Sequence, residues 1–87
     1  PRVDDFPALN LAYKVGKIGG FKPAVFNAAN ETAVYAFLDG KIVFSDIYKI
    51  VTAVLASMET DDEFTLDNLL AIDQWARIKA LEFINRR

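Results

Sequence analysis

Three short segments of this chain gather residues that can do chemistry. In Asn27-Ala28-Ala29-Asn30-Glu31, two carboxamides precede a carboxylate. If the segment is helical, Asn30 falls between Val34 and Phe37 on the helical wheel and Asn27 between Val34 and Leu38, so both amides are expected to face inward. A buried amide without partners costs about 1–3 kcal/mol, so each must bond either to backbone of an adjoining segment or to a ligand. The catalytic version is a polar pocket with Glu31 as base or metal ligand; the structural version is a tether between helices or between domains. The structural version is favoured, because one carboxylate without His or a second convergent acid is a poor metal or acid–base site.

Asp73 and Arg77 stand four apart, in the order that helical ion pairs favour. A paired charge at an interface is the expectation. Recognition of a substrate carboxylate or phosphate is the rival, but a lone Arg without a glycine-rich loop carries it poorly. The third segment holds Glu59, Asp61, Asp62 and Glu63. It could bind calcium, or combine with Glu31 in a small metal-dependent enzyme. It lacks the alternating ligands and central Gly of an EF-hand loop, and a solvated turn is the expected outcome.

Composition narrows these possibilities. The chain has neither Cys nor His, which removes thiolate nucleophiles, thiolate zinc sites and the commonest general base. Ten Lys and Arg against twelve Asp and Glu give a net charge of -2, so the summed field repels polyanions and nucleic acid is not expected as a partner. At 87 residues and 53% hydrophobic, the chain reads as one folded domain rather than a disordered tail. Its apolar runs are too short to cross a bilayer, no signal-peptide pattern is present, and a cytoplasmic setting is the default. A domain this small is expected to be marginally stable alone.

Four helices are expected to position these residues. Asp5 can cap a first helix with Pro7 in its opening turn, running to about Ile18 and closed by Gly19-Gly20. A second, central helix is expected over 23–39, with Phe26, Ala33 and Phe37 stacked inward, Leu38 and Val34 beside them, and Ala28, Ala29, Ala33 and Ala36 permitting close helix approach. Gly40 is read as the residue just past its end. Ile42-Val43-Phe44 is read as a core plug, and Ser45 or Asp46 as the cap of a third helix over 46–58, with Ile47, Ile50, Val51, Val54, Leu55 and Met58 on one face. Thr65, followed by Asn68, opens a fourth helix over 66–85, whose broad apolar arc includes Leu66, Leu69, Leu70, Ile72, Ala76, Ala80, Phe83 and Ile84. Trp75 and Ile78 point away from that arc and are candidates for a docking patch or, in a bundle this small, for contact with the first helix. A helix-turn-helix is not supported: the connection after Gly40 is too long and Lys49 is the lone cation of the would-be recognition helix. The fold class is therefore all-α, a four-helix bundle or superhelix with short connections.

Several segments also carry a resemblance. They are Phe6-Pro7-Ala8-Leu9 with Leu11-Ala12, Pro23-Ala24-Val25 leading into Asn27-Ala28-Ala29-Asn30-Glu31, then Ala33-Val34, Ala36-Phe37-Leu38, Gly40, Ile42, Phe44, Asp46-Ile47, and Asp73 with Trp75-Ala76-Arg77. Together they resemble the carboxy-terminal domain of the 1-deoxy-D-xylulose 5-phosphate (DXP) reductoisomerase family. The resemblance implies that residues 1–87 are one accessory domain of a larger enzyme. Its parent would use NADPH and a divalent cation (Mg or Mn) to rearrange and reduce 1-deoxy-D-xylulose 5-phosphate to 2-C-methyl-D-erythritol 4-phosphate in non-mevalonate isoprenoid biosynthesis. The implied partners are the preceding nucleotide-binding and catalytic domains, in a homodimeric parent of the cytoplasm or a plastid. No catalytic, cofactor-binding or metal-binding residue is expected in the chain itself; Asn27, Asn30, Glu31, Asp73 and Arg77 are expected as structural polar contacts. The alternative is a free-standing helical protein-interaction module.

Overall fold

A computed structural model describes residues 20–59 and 63–86. Three helices occupy them: α1 (Lys22–Leu38), α2 (Phe44–Ser57) and α3 (Leu66–Asn85). The all-α expectation holds, and the last helix has the bounds read from sequence. The helix expected over 7–18 lies outside the described residues.

Each helix end has a chemical cause. Pro23 sits in the first turn of α1, where a backbone N–H has no intrahelical partner to lose. At the other end Gly40 takes a positive φ of 78°. Its N–H donates to the Phe37 carbonyl at 3.0 Å and that of Lys41 to the Ala36 carbonyl at 2.9 Å, the paired bonds of a Schellman cap. A Cβ at Gly40 would meet no atom within 4 Å, so the position is selected by backbone conformation alone. Gly40→Ala is therefore expected to destabilise the fold by about 1–2 kcal/mol without rearranging it, the cost of a left-handed non-glycine residue. Urea unfolding measures this, and an unchanged midpoint would refute the cap.

The start of α2 departs from the sequence reading. Val43 holds the cap position, and Asp46 lies one turn inside the helix, reaching back so that Oδ2 accepts the Val43 N–H at 3.0 Å. The carboxylate thus answers an orphan donor and faces the positive end of the helix dipole. The plug is also smaller than expected. Ile42 is buried, whereas Val43 and Phe44 are exposed, because starting the helix at Phe44 turns its ring outward to meet Phe37 edge-on at 5.7 Å. Thr65 caps α3 through Oγ1, which accepts the Asn68 N–H at 3.2 Å; the Asn68 side-chain amide donates to the Glu63 carbonyl at 2.7 Å.

α1 is the central helix, packing extensively on both α2 and α3, which touch each other less. Its buried residues are Val25, Ala28, Ala29, Ala33 and Ala36. The four alanines fulfil the close-approach role, and they also displace the expected inner face. Phe26, Val34 and Phe37 are only partly buried at the flanks of the core, and Leu38 is exposed. Methyl-lined seams let two helices press onto α1 at once, and large side chains are pushed to the edges. α2 contributes Ile47, Ile50, Val51 and Val54, as its amphipathic pattern indicated, and α3 contributes Ala76, Ala80 and Ile84. Leu66 and Leu70 of the expected α3 arc are exposed instead. No helix among the described residues is long and apolar enough to cross a membrane.

Candidate functional site

The polar residues singled out in the sequence converge only in part. Glu31 on α1 and Asp73 and Arg77 on α3 form one bridge. Arg77 Nε donates to Asp73 Oδ2 at 3.0 Å within the helix, and Arg77 Nη1 donates to Glu31 Oε1 at 3.3 Å across to α1. Both helices bury small residues, Ala28, Ala29 and Ala33 on α1 and Ala76 and Ala80 on α3, and such residues permit close helix approach.

The bridge stays wet. Side-chain exposure is 39% for both Arg77 and Asp73 and 54% for Glu31. Arg77 is held further toward its charged form, chiefly by the hydrogen bond it donates to Asp73 and then by that to Glu31, with partial desolvation opposing both. A group whose pKa is raised on folding contributes stability below its unfolded pKa and loses it as pH climbs through the folded one. For a guanidinium that window lies far above neutrality, so Arg77 remains cationic at any ordinary pH. Two carboxylates already answer that charge, which makes the site a poor receptor for an additional anion. Arg77→Gln is expected to change stability by less than about 1 kcal/mol, because exposed ion pairs are screened. The difference should shrink further in high salt; a larger, salt-insensitive loss would contradict this description.

The carboxamides do not join the bridge. Asn27 is exposed and Asn30 half-buried, and neither hydrogen-bonds another described residue. The expectation that both face inward is thus corrected for Asn27. The alanine seam takes the inner side of α1, which rotates Asn27, Glu31, Tyr35 and Leu38 together onto its outer stripe. Trp75 is corrected as well: it is half-buried and packs against the core, lining a groove of about 400 Å³ with Phe21, Asn68 and Ile72. Ile78 is exposed, as read.

Of the acidic loop, Asp61 and Asp62 lie outside the described residues. Among the described residues no group of three or more His, Cys, Asp or Glu side chains could hold a metal ion. No chemical step is derived through a divalent cation or a nicotinamide dinucleotide. Sequence reading missed one feature, a groove of about 180 Å³ between the carboxy-terminal halves of α1 and α3, with Tyr35 and Leu81 on its two sides. Its signal was present: Tyr35 and Leu38 are large apolar residues three apart on a helix that already had alanines to bury.

The described residues form a small all-α unit with a polar bridge between two of its helices. A family profile described as the DXP reductoisomerase C-terminal domain matches residues 1–79. The chain is 49% identical over 84 residues to the 1-deoxy-D-xylulose 5-phosphate reductoisomerase of Desulforamulus reducens, an alignment covering 97% of this chain and 22% of that protein. It is 46% identical over 85 residues to the one from Desulfitobacterium hafniense, covering 98% of this chain and 22% of the relative. The solved structure of 1-deoxy-D-xylulose 5-phosphate reductoisomerase from Zymomonas mobilis in complex with NADPH superposes with a TM-score of 0.86 at 49% identity, over 97% of this chain and 22% of that one. This chain belongs to the DXP reductoisomerase C-terminal domain family. It spans about a fifth of the length of these relatives.

Proposed function

We propose that residues 1–87 are the structural carboxy-terminal domain of an NADPH-dependent 1-deoxy-D-xylulose 5-phosphate reductoisomerase, and that they brace its catalytic domain. One observation carries the reading: nearly the whole chain aligns, at close to half identity, with one end of much longer enzymes of that name. In this reading the remainder of the polypeptide supplies the nucleotide-binding and catalytic domains, the NADPH site and a divalent-cation site. The parent is a homodimer that converts its substrate to 2-C-methyl-D-erythritol 4-phosphate in the cytoplasm, or in a plastid where the organism has one. Asn27, Asn30, Glu31, Asp73 and Arg77 serve as structural polar contacts. Glu31, Asp73 and Arg77 tie α1 to α3, and the exposed amide of Asn27 and the half-buried one of Asn30 bond a neighbouring segment or domain.

The test is a comparison of two proteins. The full-length polypeptide carrying this sequence is expected to oxidise NADPH when given 1-deoxy-D-xylulose 5-phosphate and magnesium or manganese, and the 87-residue chain is expected to be inert under the same conditions. Turnover by the 87-residue chain, or none by the full-length protein, would end the proposal. The rival reading as a free-standing interaction module, motivated by Trp75, Ile78 and the acidic loop, loses part of its support, because Trp75 is half-buried against the core.

A further inference from the structure

Asp39 is the aspartate of this chain that a glycine follows. In such a pair the glycine nitrogen can attack the preceding side-chain carboxyl, because no Cβ on the glycine shields it. The pair stands exposed at the end of α1, and the Asp39 carboxylate forms no hydrogen bond or ion pair with another described residue. Beyond its chain neighbours, nothing lies within 4 Å of where a Cβ on Gly40 would stand. Side-chain access therefore does not limit the attack, and the restraint comes from the backbone. The attacking nitrogen must lose its proton, yet the Gly40 N–H is held by the Phe37 carbonyl at 3.0 Å. Asp39 also has the wrong torsion, with ψ at -1°. Closing a five-membered ring requires Asp39 Cβ and the Gly40 nitrogen to lie nearly eclipsed about the Cα–C bond. From a tetrahedral Cα, ψ must turn by about a third of a revolution to reach that arrangement. Such a turn breaks the bonds from Gly40 to Phe37 and from Lys41 to Ala36 together.

We propose that the Asp39–Gly40 peptide is a site of spontaneous aspartate isomerisation, gated by the Schellman cap of α1. When the cap opens, the Gly40 nitrogen gives up its proton and bonds to Asp39 Cγ, and a carboxyl oxygen departs as water. The succinimide so formed then takes up water. Addition at Cγ regenerates aspartate. Addition at the Asp39 main-chain carbonyl breaks that carbon's bond to nitrogen and leaves isoaspartate, with Gly40 now linked through Cγ. One water leaves and one returns, nothing is oxidised or reduced, and water is the sole co-reactant. The product carries one extra main-chain carbon ahead of Gly40, so the two cap bonds no longer close together and the end of α1 stays loosened.

The test ages the full-length polypeptide carrying this sequence at neutral pH, folded and in urea. The tryptic peptide ending at Lys41 is followed by chromatography and electron-transfer mass spectrometry, which distinguish isoaspartate from aspartate. Isoaspartate is expected at Asp39 in both samples, forming about tenfold or more slowly in the folded one, because ring closure waits on local opening. Leu38→Gly weakens the last turn of α1 at a side chain that is 70% exposed and so leaves the core untouched. It is expected to speed the folded reaction about threefold, the factor set by glycine's poor helix propensity, and to leave the urea reaction unchanged. Hydrogen exchange at the Gly40 and Lys41 amides of the unsubstituted protein reads the same opening without any substitution. Its slowing relative to the unfolded chain should match the slowing of isomerisation. Equal isomerisation rates in the folded and urea samples overturn the gate, as does a Leu38→Gly protein that reacts no faster than wild type, or amide protection unrelated to the isomerisation rate. A folded protein that accumulates no isoaspartate at Asp39 while the urea sample does overturns the site itself.

Discussion

Ala33→Leu is expected to be among the most damaging single substitutions in the chain, lowering stability by about 1–3 kcal/mol or more. Ala33 is fully buried in α1, in a core cluster that also holds the fully buried Ala76 and Ala80 of α3. Added methylenes in such a close-packed core have little room, and the helices must separate or the Leu must leave its rotamer. A domain of this size has a total stability of only about 0.05–0.15 kcal/mol per residue, so the loss is a large share of the whole. Equilibrium urea unfolding measures it. Ala56→Leu, on the exposed side of α2, is the control and should stay within about 0.5 kcal/mol of wild type. Equal behaviour of the two variants would mean that the helices do not meet through their alanines.

The second large effect is expected at Ile50, which is 3% exposed in the core cluster with Ile47, Val51 and Val54 of the same helix. Ile50→Ala removes buried methyl groups and leaves a cavity that a three-helix core can fill only by collapsing, at a cost of about 2–5 kcal/mol. Ile50→Val should cost about 0.5–1.5 kcal/mol. The ordering is the informative part. If the Val and Ala variants unfold at the same midpoint, Ile50 is not enclosed on all sides. Tyr48→Ala, two residues away on the exposed side of α2, should have little effect, which separates loss of burial from loss of helix propensity.

How much could be read in advance depended on the range of the interaction that fixed each feature. Thr65 and Asn68 announced the start of α3 because a cap is settled within one turn of chain. Gly40 announced the end of α1 for the same reason. The apolar face of α2 was legible because Ile47, Ile50, Val51 and Val54 repeat with the helical period and polar residues fill the other side. The i to i+4 relation of Asp73 and Arg77 was legible too, since both ends lie on one helix.

The facing of α1 was not legible, and the Asn27 reading failed with it. Apolar residues surround that helix on nearly every side, so periodicity names no inner face. The choice falls to whichever residues let two neighbours approach most closely. Those are the alanines rather than the larger phenylalanines, which left Asn27 and Tyr35 outside. Likewise, sequence could pair Arg77 with Asp73 but not with Glu31, 46 positions away, because that distance is set only when α1 and α3 pack. The sequence by itself determined that the chain is helical, where α1 ends and where α3 begins and ends, and what chemistry it lacks for want of Cys and His. Which faces those helices bury, and which polar groups thereby meet, was decided by tertiary packing, because close approach of backbones is a property of pairs of helices and is written in neither one alone.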